Sequence, residues 1–182
     1  MAGRRWAAEL LHLWFHRLSP ADWFAVNEQV DEELRRRFSR ELAMLSARPP
    51  REFLTDPQTA LAAVLLFDQL PRNLFRGTLQ AYATDPLARA ITHGAMERGL
   101  DEALTRRERQ FLAMPLMHSE HIADQQASLR YFAGLGKGFG MEFARSHHAM
   151  IARFGRFPHR NMALGRKSTP AEQRAVEAGF RW

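Results

Sequence analysis

The chain has 182 residues, of which 46% are hydrophobic and 25% are charged, and it carries a net charge of +6 and no cysteine. This length and balance predict one soluble globular domain over residues 1–182. The lack of cysteine excludes disulfides, a thiol nucleophile and cysteine-ligated zinc or iron–sulfur sites. The longest apolar run, 60–67, is far shorter than the roughly 20 residues of a membrane span, and no signal-peptide pattern precedes it. We therefore expect a cytoplasmic protein that does not enter a membrane.

The whole chain is predicted to be helical. β-Branched residues are scarce, and no stretch shows the sustained alternation of a half-buried strand. Helix starts are marked by a capping residue followed by proline at Ser19-Pro20, Asp56-Pro57, Asp85-Pro86 and Thr169-Pro170. Eight helices are predicted, over 4–17, 20–47 (which could break near Asn27), 57–70, 86–98, 105–114, 119–134, 139–154 and 170–178.

The connections between these segments indicate how the helices are arranged. Because the connections are short, successive helices should pack as antiparallel neighbours. The proline starts at 20, 57 and 86 are 37 and 29 residues apart, which is the length of a two-helix unit in helical repeat proteins. No repeat consensus is visible. The expected fold class is therefore all-α, an antiparallel stack of helix hairpins in a single domain.

Three predicted helices place a polar side chain on an otherwise apolar face. Asp68, Gln125 and His147 lie on the apolar faces of the third, sixth and seventh predicted helices. A buried polar group must find a partner or destabilise the fold by about 1–3 kcal/mol. Each could be a satisfied core residue, and Asp68 could be the counter-ion of an arginine. If they converge, they would support a polar pocket.

The sequence His118-Ser119-Glu120-His121 offers groups for acid–base chemistry. Histidine near neutral pH and a carboxylate beside cations are common proton-transfer groups, so His118, Glu120 and His159 are the catalytic candidates. A metal site is less consistent with the pattern, because His118, His121 and Asp124 drift by about 60° around a helix at each step. We therefore predict no metal and no cofactor.

One segment near the C-terminus holds the whole charge surplus. Residues 143–171 contain six cations and no carboxylate, which equals the net charge of +6. The densest part, bent by glycine and proline, contains Arg153, Arg156, Arg160 and Arg166. Such a confined surplus indicates a place where an anion binds. Alternatively, these arginines form a salt-bridged plug that ties the last helices to the third predicted helix and the turn after it.

Two turns that leave helices repeat the same chemistry. Pro71-Arg72-Asn73 follows the third helix, and Pro158-His159-Arg160-Asn161 follows the seventh. Arginine offers a planar fork of donors that matches carboxylate or phosphate, and asparagine readily adopts turn conformations. Each arginine could instead cap helix carbonyls. The predicted anion-binding set is Arg72, Asn73, Arg153, Arg156, Arg160, Asn161 and Arg166.

The same stretches carry a resemblance to a known family. They are 67–77 (FDQLPRNLFRG), 114–120 (MPLMHSE) with Gln125 and Ser128 after it, and 147–166. They resemble the bacterial domain-of-unknown-function family 924, and the likeness extends over nearly the full chain. The resemblance implies an all-helical, TPR-like fold and no established activity. His121 departs from the family pattern, which has an acidic residue there, and this weakens any functional role for His121.

These observations support a leading hypothesis and two alternatives. The leading one is an enzyme whose inter-helix pocket binds a phosphate- or carboxylate-bearing small molecule, with arginines as a clamp and histidine and glutamate as acid–base groups. The alternative is a TPR-like binding module for an acidic peptide or a C-terminal carboxylate. Non-specific nucleic-acid binding is disfavoured, because basic residues with interleaved aromatics occur in only one segment. The sequence does not indicate an oligomeric state.

Overall fold

The structure describes residues 5–179. In this range it contains nine helices joined by loops and short turns, and no strand. The structure is a computed structural model. The helices are α1 (Arg5–His12), α2 (Pro20–Phe24), α3 (Glu28–Leu45), α4 (Pro57–Val64, continued by Leu65–Gln69 and Leu70–Leu74), α5 (Asp85–Glu97), α6 (Arg106–His118), α7 (Ile122–Leu135), α8 (Met141–Phe154) and α9 (Pro170–Glu177). The all-α prediction is confirmed. The predicted start of the first helix, Arg4, and both ends of the predicted domain lie outside the described residues.

The break expected near Asn27 separates α2 from α3. Asn27 has an extended backbone, and its side-chain oxygen accepts hydrogen bonds from the backbone amides of Gln29 and Val30. This cap satisfies donors that the first turn of a helix otherwise leaves without partners. α3 therefore begins as a new helix and does not continue α2.

Two helices run past their predicted ends at prolines. The third predicted helix continues through a π-helical turn, Leu65–Gln69, to Leu74, and the fifth continues to His118. The wider π-helical turn directly before Pro71 accommodates a residue that regular α-helix excludes. Pro115 lies inside α6, where its neighbours on both sides are buried. Tertiary packing thus overrides the preference of proline for helix starts.

α4 is the central helix of the fold. Every residue from 59 to 71 is buried, because α1, α3, α5 and α6 pack around this segment. The burial of so much apolar surface is the main stabilising contribution to such a helix. Asp68, a polar residue of this segment, has no solvent exposure.

The later helices pack onto this centre in sequence order. α6 packs against α7, and α7 packs against α8, as the short connections predict. A second apolar cluster, which includes Met117, Phe132 and Ala144, joins these three helices. The TPR-like relation between hairpins stays a prediction. Among residues 5–179, every helix is too short or too polar to cross a bilayer.

The segment 155–169, here called the arginine loop, returns from α8 to the C-terminal ends of α4 and α6. It contains a short 3₁₀ turn, Pro158–Arg160. Phe157 is fully buried among Met150 and Ile151, and its backbone amide donates a hydrogen bond to the carboxylate of Glu120 (2.8 Å). The loop thereby brings its arginines to the end of the central helix.

Candidate functional site

Asp68 is the buried acid at the base of the site. Its carboxylate accepts hydrogen bonds from Nδ1 of His118 (2.8 Å) and Nε2 of Gln69 (2.6 Å), and Nη1 of Arg72 lies 3.3 Å away. Burial alone would raise the pKa of Asp68. The charge of Arg72 and the interactions with His118 outweigh burial and hold that pKa well below its usual range. Asp68 is therefore a carboxylate at neutral pH.

His118, the last residue of α6, presents one ring edge to Asp68 and the other to open space. Because a carboxylate can only accept a hydrogen bond, the Nδ1 atom of His118 carries the proton. Burial lowers the pKa of His118, and the attraction of Asp68 offsets this only in part. The ring is therefore neutral at pH 7, and Nε2 is an unprotonated base.

Arg72 is held by two aspartates. Its guanidinium forms a two-point contact with the carboxylate of Asp85 (2.8 and 3.0 Å), and it donates to the backbone oxygen of Asp68 (2.6 Å). Asp85 is the first residue of α5, so this contact joins the start of α5 to the end of α4. Bidentate arginine–carboxylate geometry fixes the orientation of the guanidinium as well as its position.

Arg160 is buried but weakly paired. Only 5% of its surface is exposed, and within residues 5–179 its Nε atom has no hydrogen-bond partner. Its ion pair with Asp85 is long, at 3.6 Å. The guanidinium packs on the rings of Tyr82 and Phe157, at 4.7 and 4.4 Å from their centroids. Burial, together with the like charge of Arg72, lowers the pKa of Arg160 to about 10. Arg160 is thus a cation at pH 7 with donors to offer.

Two further histidines lie beside these residues. Nδ1 of His147 donates to the backbone oxygen of Phe143 (2.8 Å), and the ring centroids of His147 and His118 are 6.0 Å apart. Burial lowers the pKa of His147 to about 3. Burial and the charge of Arg160 lower the pKa of His159 to about 3 as well. Both rings are therefore neutral at physiological pH.

These residues surround a cavity of about 320 Å³, here called the arginine cavity. Its wall contains three arginines, three histidines and no carboxylate. The lining residues are Arg72, Arg76, Gly77, Ala81, Tyr82, His118, His147, His159 and Arg160. The aspartates that pair with these arginines lie behind the wall, so the charged side chains that face the cavity are all cations. Its volume falls in the range of small-molecule sites.

Glu120 lies outside the wall of the arginine cavity and holds the arginine loop. Its carboxylate forms a two-point contact with Arg166 (2.7 and 2.9 Å) and accepts from the backbone amide of Phe157 (2.8 Å). Burial raises the pKa of Glu120, but these bonds outweigh burial and lower it. Glu120 and His118 both line a smaller cavity of about 260 Å³. A catalytic role for Glu120 stays a prediction.

The arginines in and just before the arginine loop differ in their partners. Arg156 forms a two-point contact with Glu172 (2.6 and 3.0 Å), and this bond lowers the pKa of Glu172 to about 2. Arg153 is exposed and lies over the ring of Phe154. Arg153, Arg156 and Arg166 are not part of the wall of the arginine cavity. The geometry of a salt-bridged plug is thus found at Arg156 and Arg166, and that of a cavity wall at Arg160.

Three other predicted residues make hydrogen bonds within the protein. The amide of Asn73 donates to a buried aspartate of α3 (2.8 Å). The amide of Gln125 donates to two backbone oxygens at the end of α6 (2.6 and 2.7 Å), so it caps the helix that carries His118. The amide of Asn161 donates to a serine hydroxyl within the arginine loop (3.0 Å).

Four residues of this site were not predicted from the sequence, namely Asp31, Arg76, Tyr82 and Asp85. Both aspartates lie in the first turn of a helix, where a carboxylate is explained by the helix dipole alone. Asp31 is buried and pairs with Arg76 (2.8 Å). The need of a charge at a helix interface for an opposite charge is the signal that could have identified both acids.

The histidines and acids do not form a metal site within residues 5–179. No group of three or more such side chains there is arranged to hold an ion. Asp124 contacts Nε2 of His93 (2.7 Å) and the hydroxyl of Ser119 (2.7 Å), whereas His118 contacts Asp68. Two members of the spaced trio that contains His121 therefore have different partners.

The fold and the site define an all-helical protein with a basic cavity between its helices. The family model described as "Bacterial protein of unknown function (DUF924)" matches residues 10–179, so the chain belongs to this family. A solved structure, of the protein of unknown function ATU0120 from Agrobacterium tumefaciens, is 38% identical, with a TM-score of 0.89 over 95% of this chain and 97% of that chain. No curated protein matches the chain.

Proposed function

We propose that this protein is a cytoplasmic enzyme that binds a small molecule carrying a carboxylate or phosphate in the arginine cavity and transfers a proton on it. One observation carries the proposal. The Asp68–His118 pair presents a neutral imidazole to a cavity in which the charged side chains of the wall are all arginines. A fixed base beside a preorganised positive field is the arrangement that proton transfer from an anionic molecule needs.

Arg160 is the main ligand of the anion in this proposal. Its guanidinium is buried, has a donor without a partner in the described part of the chain, and is only weakly paired with Asp85. A carboxylate or phosphate would accept charge-assisted hydrogen bonds from it, each worth roughly 1.5–3 kcal/mol. Arg72 and Arg76 line the same cavity and add positive potential while their aspartate partners hold them in place.

His118 is the proton-transfer group. Its Nε2 atom takes a proton from the bound molecule, and the Asp68 carboxylate, 2.8 Å from Nδ1, stabilises the imidazolium that forms. His159, the other histidine of the predicted acid–base set, is neutral at pH 7, so in this proposal it hydrogen-bonds the molecule and does not protonate it, and His147 positions the molecule through a neutral ring as well. In this proposal Glu120 acts indirectly, because its carboxylate holds the arginine loop in place.

The anion site is tested by isothermal titration calorimetry with inorganic phosphate and with malonate. We expect the wild-type protein to bind one or both, and Arg160→Met to weaken that binding by about tenfold or more. Arg153→Met is the matched control, because Arg153 is exposed and does not line the cavity. Equal affinities in the two variants would show that the anion site is elsewhere.

The catalytic role is tested with a substrate found among the anions that bind. His118→Asn keeps a donor for Asp68, so the fold and the anion affinity should be retained. We expect kcat to fall by about 100-fold or more with little change in KM. Unchanged turnover in His118→Asn would remove the assignment of His118.

The alternative, a binding module for an acidic peptide or a C-terminal carboxylate, predicts another pattern. Acidic peptides would bind more tightly than small anions, and His118→Asn would change nothing. Nucleic-acid binding is the weaker alternative, because Arg156 and Arg166 are each already paired with a glutamate. It predicts an affinity that falls steeply with salt concentration.

A further inference from the structure

A second cavity, of about 470 Å³, adjoins the arginine cavity and has a different character. The two share Arg72, Arg76, His118 and His147 in their walls. Beyond these shared residues the second cavity is mainly apolar, with Trp23, Phe24, Val26, Met114, Met117 and Phe143 in its wall. The two adjoining cavities, here together called the cleft, therefore have a cationic end and an apolar end.

Large apolar side chains are exposed along the apolar end. Phe24, the last residue of α2, is 63% exposed, and Val26, in the segment between α2 and α3, is 73% exposed. Phe143, from α8, is 56% exposed and lines the same cavity. Exposed apolar groups gathered at one cavity mark a binding surface more often than isolated exposed ones do. Here they line the cavity that shares Arg72 and Arg76 with the arginine cavity.

From this juxtaposition we infer that the ligand is an amphiphilic anion, with a carboxylate or phosphate head at Arg160 and an apolar body between Phe24 and Phe143. The inference rests on the proposed function and adds the substrate class to it. A purely polar anion would leave the apolar end of the cleft in contact with water, and a purely apolar ligand would bury Nε of Arg160 without giving it a hydrogen-bond acceptor. Only a molecule with both parts matches both ends.

The histidines lie where the two ends meet. His118 and His147 line both cavities, and their ring centroids are 6.0 Å apart. When the head contacts Arg160, the atoms that join head and body lie beside these rings. The inferred substrate therefore has its reacting position next to the anionic group. The length of its apolar body should affect the affinity more than it affects kcat.

The inference is tested by calorimetric titration of acetate, butyrate, hexanoate and octanoate, with hexyl phosphate to compare the two heads and hexanol to test the need for a head. We expect Kd to fall by about fourfold for each methylene that the apolar end buries. In the double variant Phe24→Ala, Phe143→Ala this dependence on chain length should be lost while acetate still binds. Met44→Ala is the control, because Met44 is 60% exposed and lines neither cavity.

Each outcome separates this inference from the proposed function. Equal affinities for acetate and octanoate would overturn the inference and leave the anion site intact. Hexanol binding as tightly as hexanoate would also overturn it, because the head would then be irrelevant. If none of the anions binds, the proposed function fails together with the inference. A dependence on chain length that is lost in Met44→Ala as well would show that the apolar body binds elsewhere.

Discussion

Replacing Arg160 by methionine distinguishes a ligand-binding arginine from a structural one. Burial lowers the pKa of Arg160 to about 10, which corresponds to about 3 kcal/mol against the charged form in the folded protein. The variant removes that penalty and keeps an apolar stem of similar length. It also loses the contacts with the rings of Tyr82 and Phe157, worth about 0.5–2 kcal/mol each. The free energy of unfolding should therefore change by between about +2 and about −1 kcal/mol.

The assay is urea unfolding at pH 7, with a thermal melt as a second measure. For a chain of this size, about 1 kcal/mol shifts Tm by about 2–4 °C, so Arg160→Met should melt within a few degrees of wild type. Arg166→Met is the comparison, because it leaves Glu120 without its two-point partner and should cost about 1–3 kcal/mol.

A large loss of stability in Arg160→Met would contradict a ligand-binding role for this arginine. A loss of 3 kcal/mol or more in Arg160→Met, on the order expected when a buried ion pair is broken, would show that its contact with Asp85 is structural. Added phosphate or malonate should raise the Tm of wild type and leave that of Arg160→Met unchanged, because a ligand stabilises only the state that binds it.

Three further predictions concern stability in the same urea assay. Because burial holds the folded-state pKa of His147 and of His159 at about 3, the unfolded chain, with pKa values of about 6.5, binds protons first on acidification. Stability should be full above about pH 6.5 and fall below it by up to about 1.4 kcal/mol per pH unit for each ring; a slope unchanged in His147→Leu would contradict this. Asp68→Asn should cost about 1–3 kcal/mol, because His118 loses a charged acceptor and Arg72 keeps only Asp85 as a counter-ion, and a loss under about 1 kcal/mol would refute that role. Gln125→Leu should cost about 1–3 kcal/mol, since two backbone oxygens lose their donor, and wild-type stability would mean that the cap is dispensable.

The helices could be predicted from the sequence because their signals are local. The pairs of a capping residue and proline at Ser19, Asp56 and Thr169 act within one turn of chain, and helices begin at the three prolines. At the fourth pair the helix begins one residue earlier, at Asp85 itself. The sequence also indicated a possible break near Asn27, where α3 begins. The continuation of α4 past Pro71 and of α6 past Pro115 could not be read this way. In both places the deciding energy is burial against helices distant in sequence.

Several site residues could be predicted one at a time from the sequence, but the contacts between them could not. Periodicity placed Asp68 and His147 on buried faces, yet nothing local indicates that Asp68 bonds to His118, 50 positions later. Sequence proximity joined His118 with Glu120. The backbone of Ser119 between them is extended, and Glu120 pairs instead with the arginine loop. Pairing across the fold depends on which elements pack together, and that information is not present in a local pattern.

Arg72 and Arg160 belong to opposite halves of the chain, so the arginine cavity forms only when the C-terminal segment docks. The loop that carries Arg160 is held by the carboxylate of Glu120, by the pair of Arg156 with Glu172 and by the buried ring of Phe157, whereas many of its other residues are exposed. Such a segment is expected to open as its own unit in hydrogen exchange, before the central helix does. An anion that bridges Arg72 and Arg160 at about 100 times its Kd would stabilise the closed state by about 2.7 kcal/mol. Amide exchange across residues 155–169 should then slow about 100-fold while exchange in α4 changes little, so the ligand and the C-terminal segment hold each other in place.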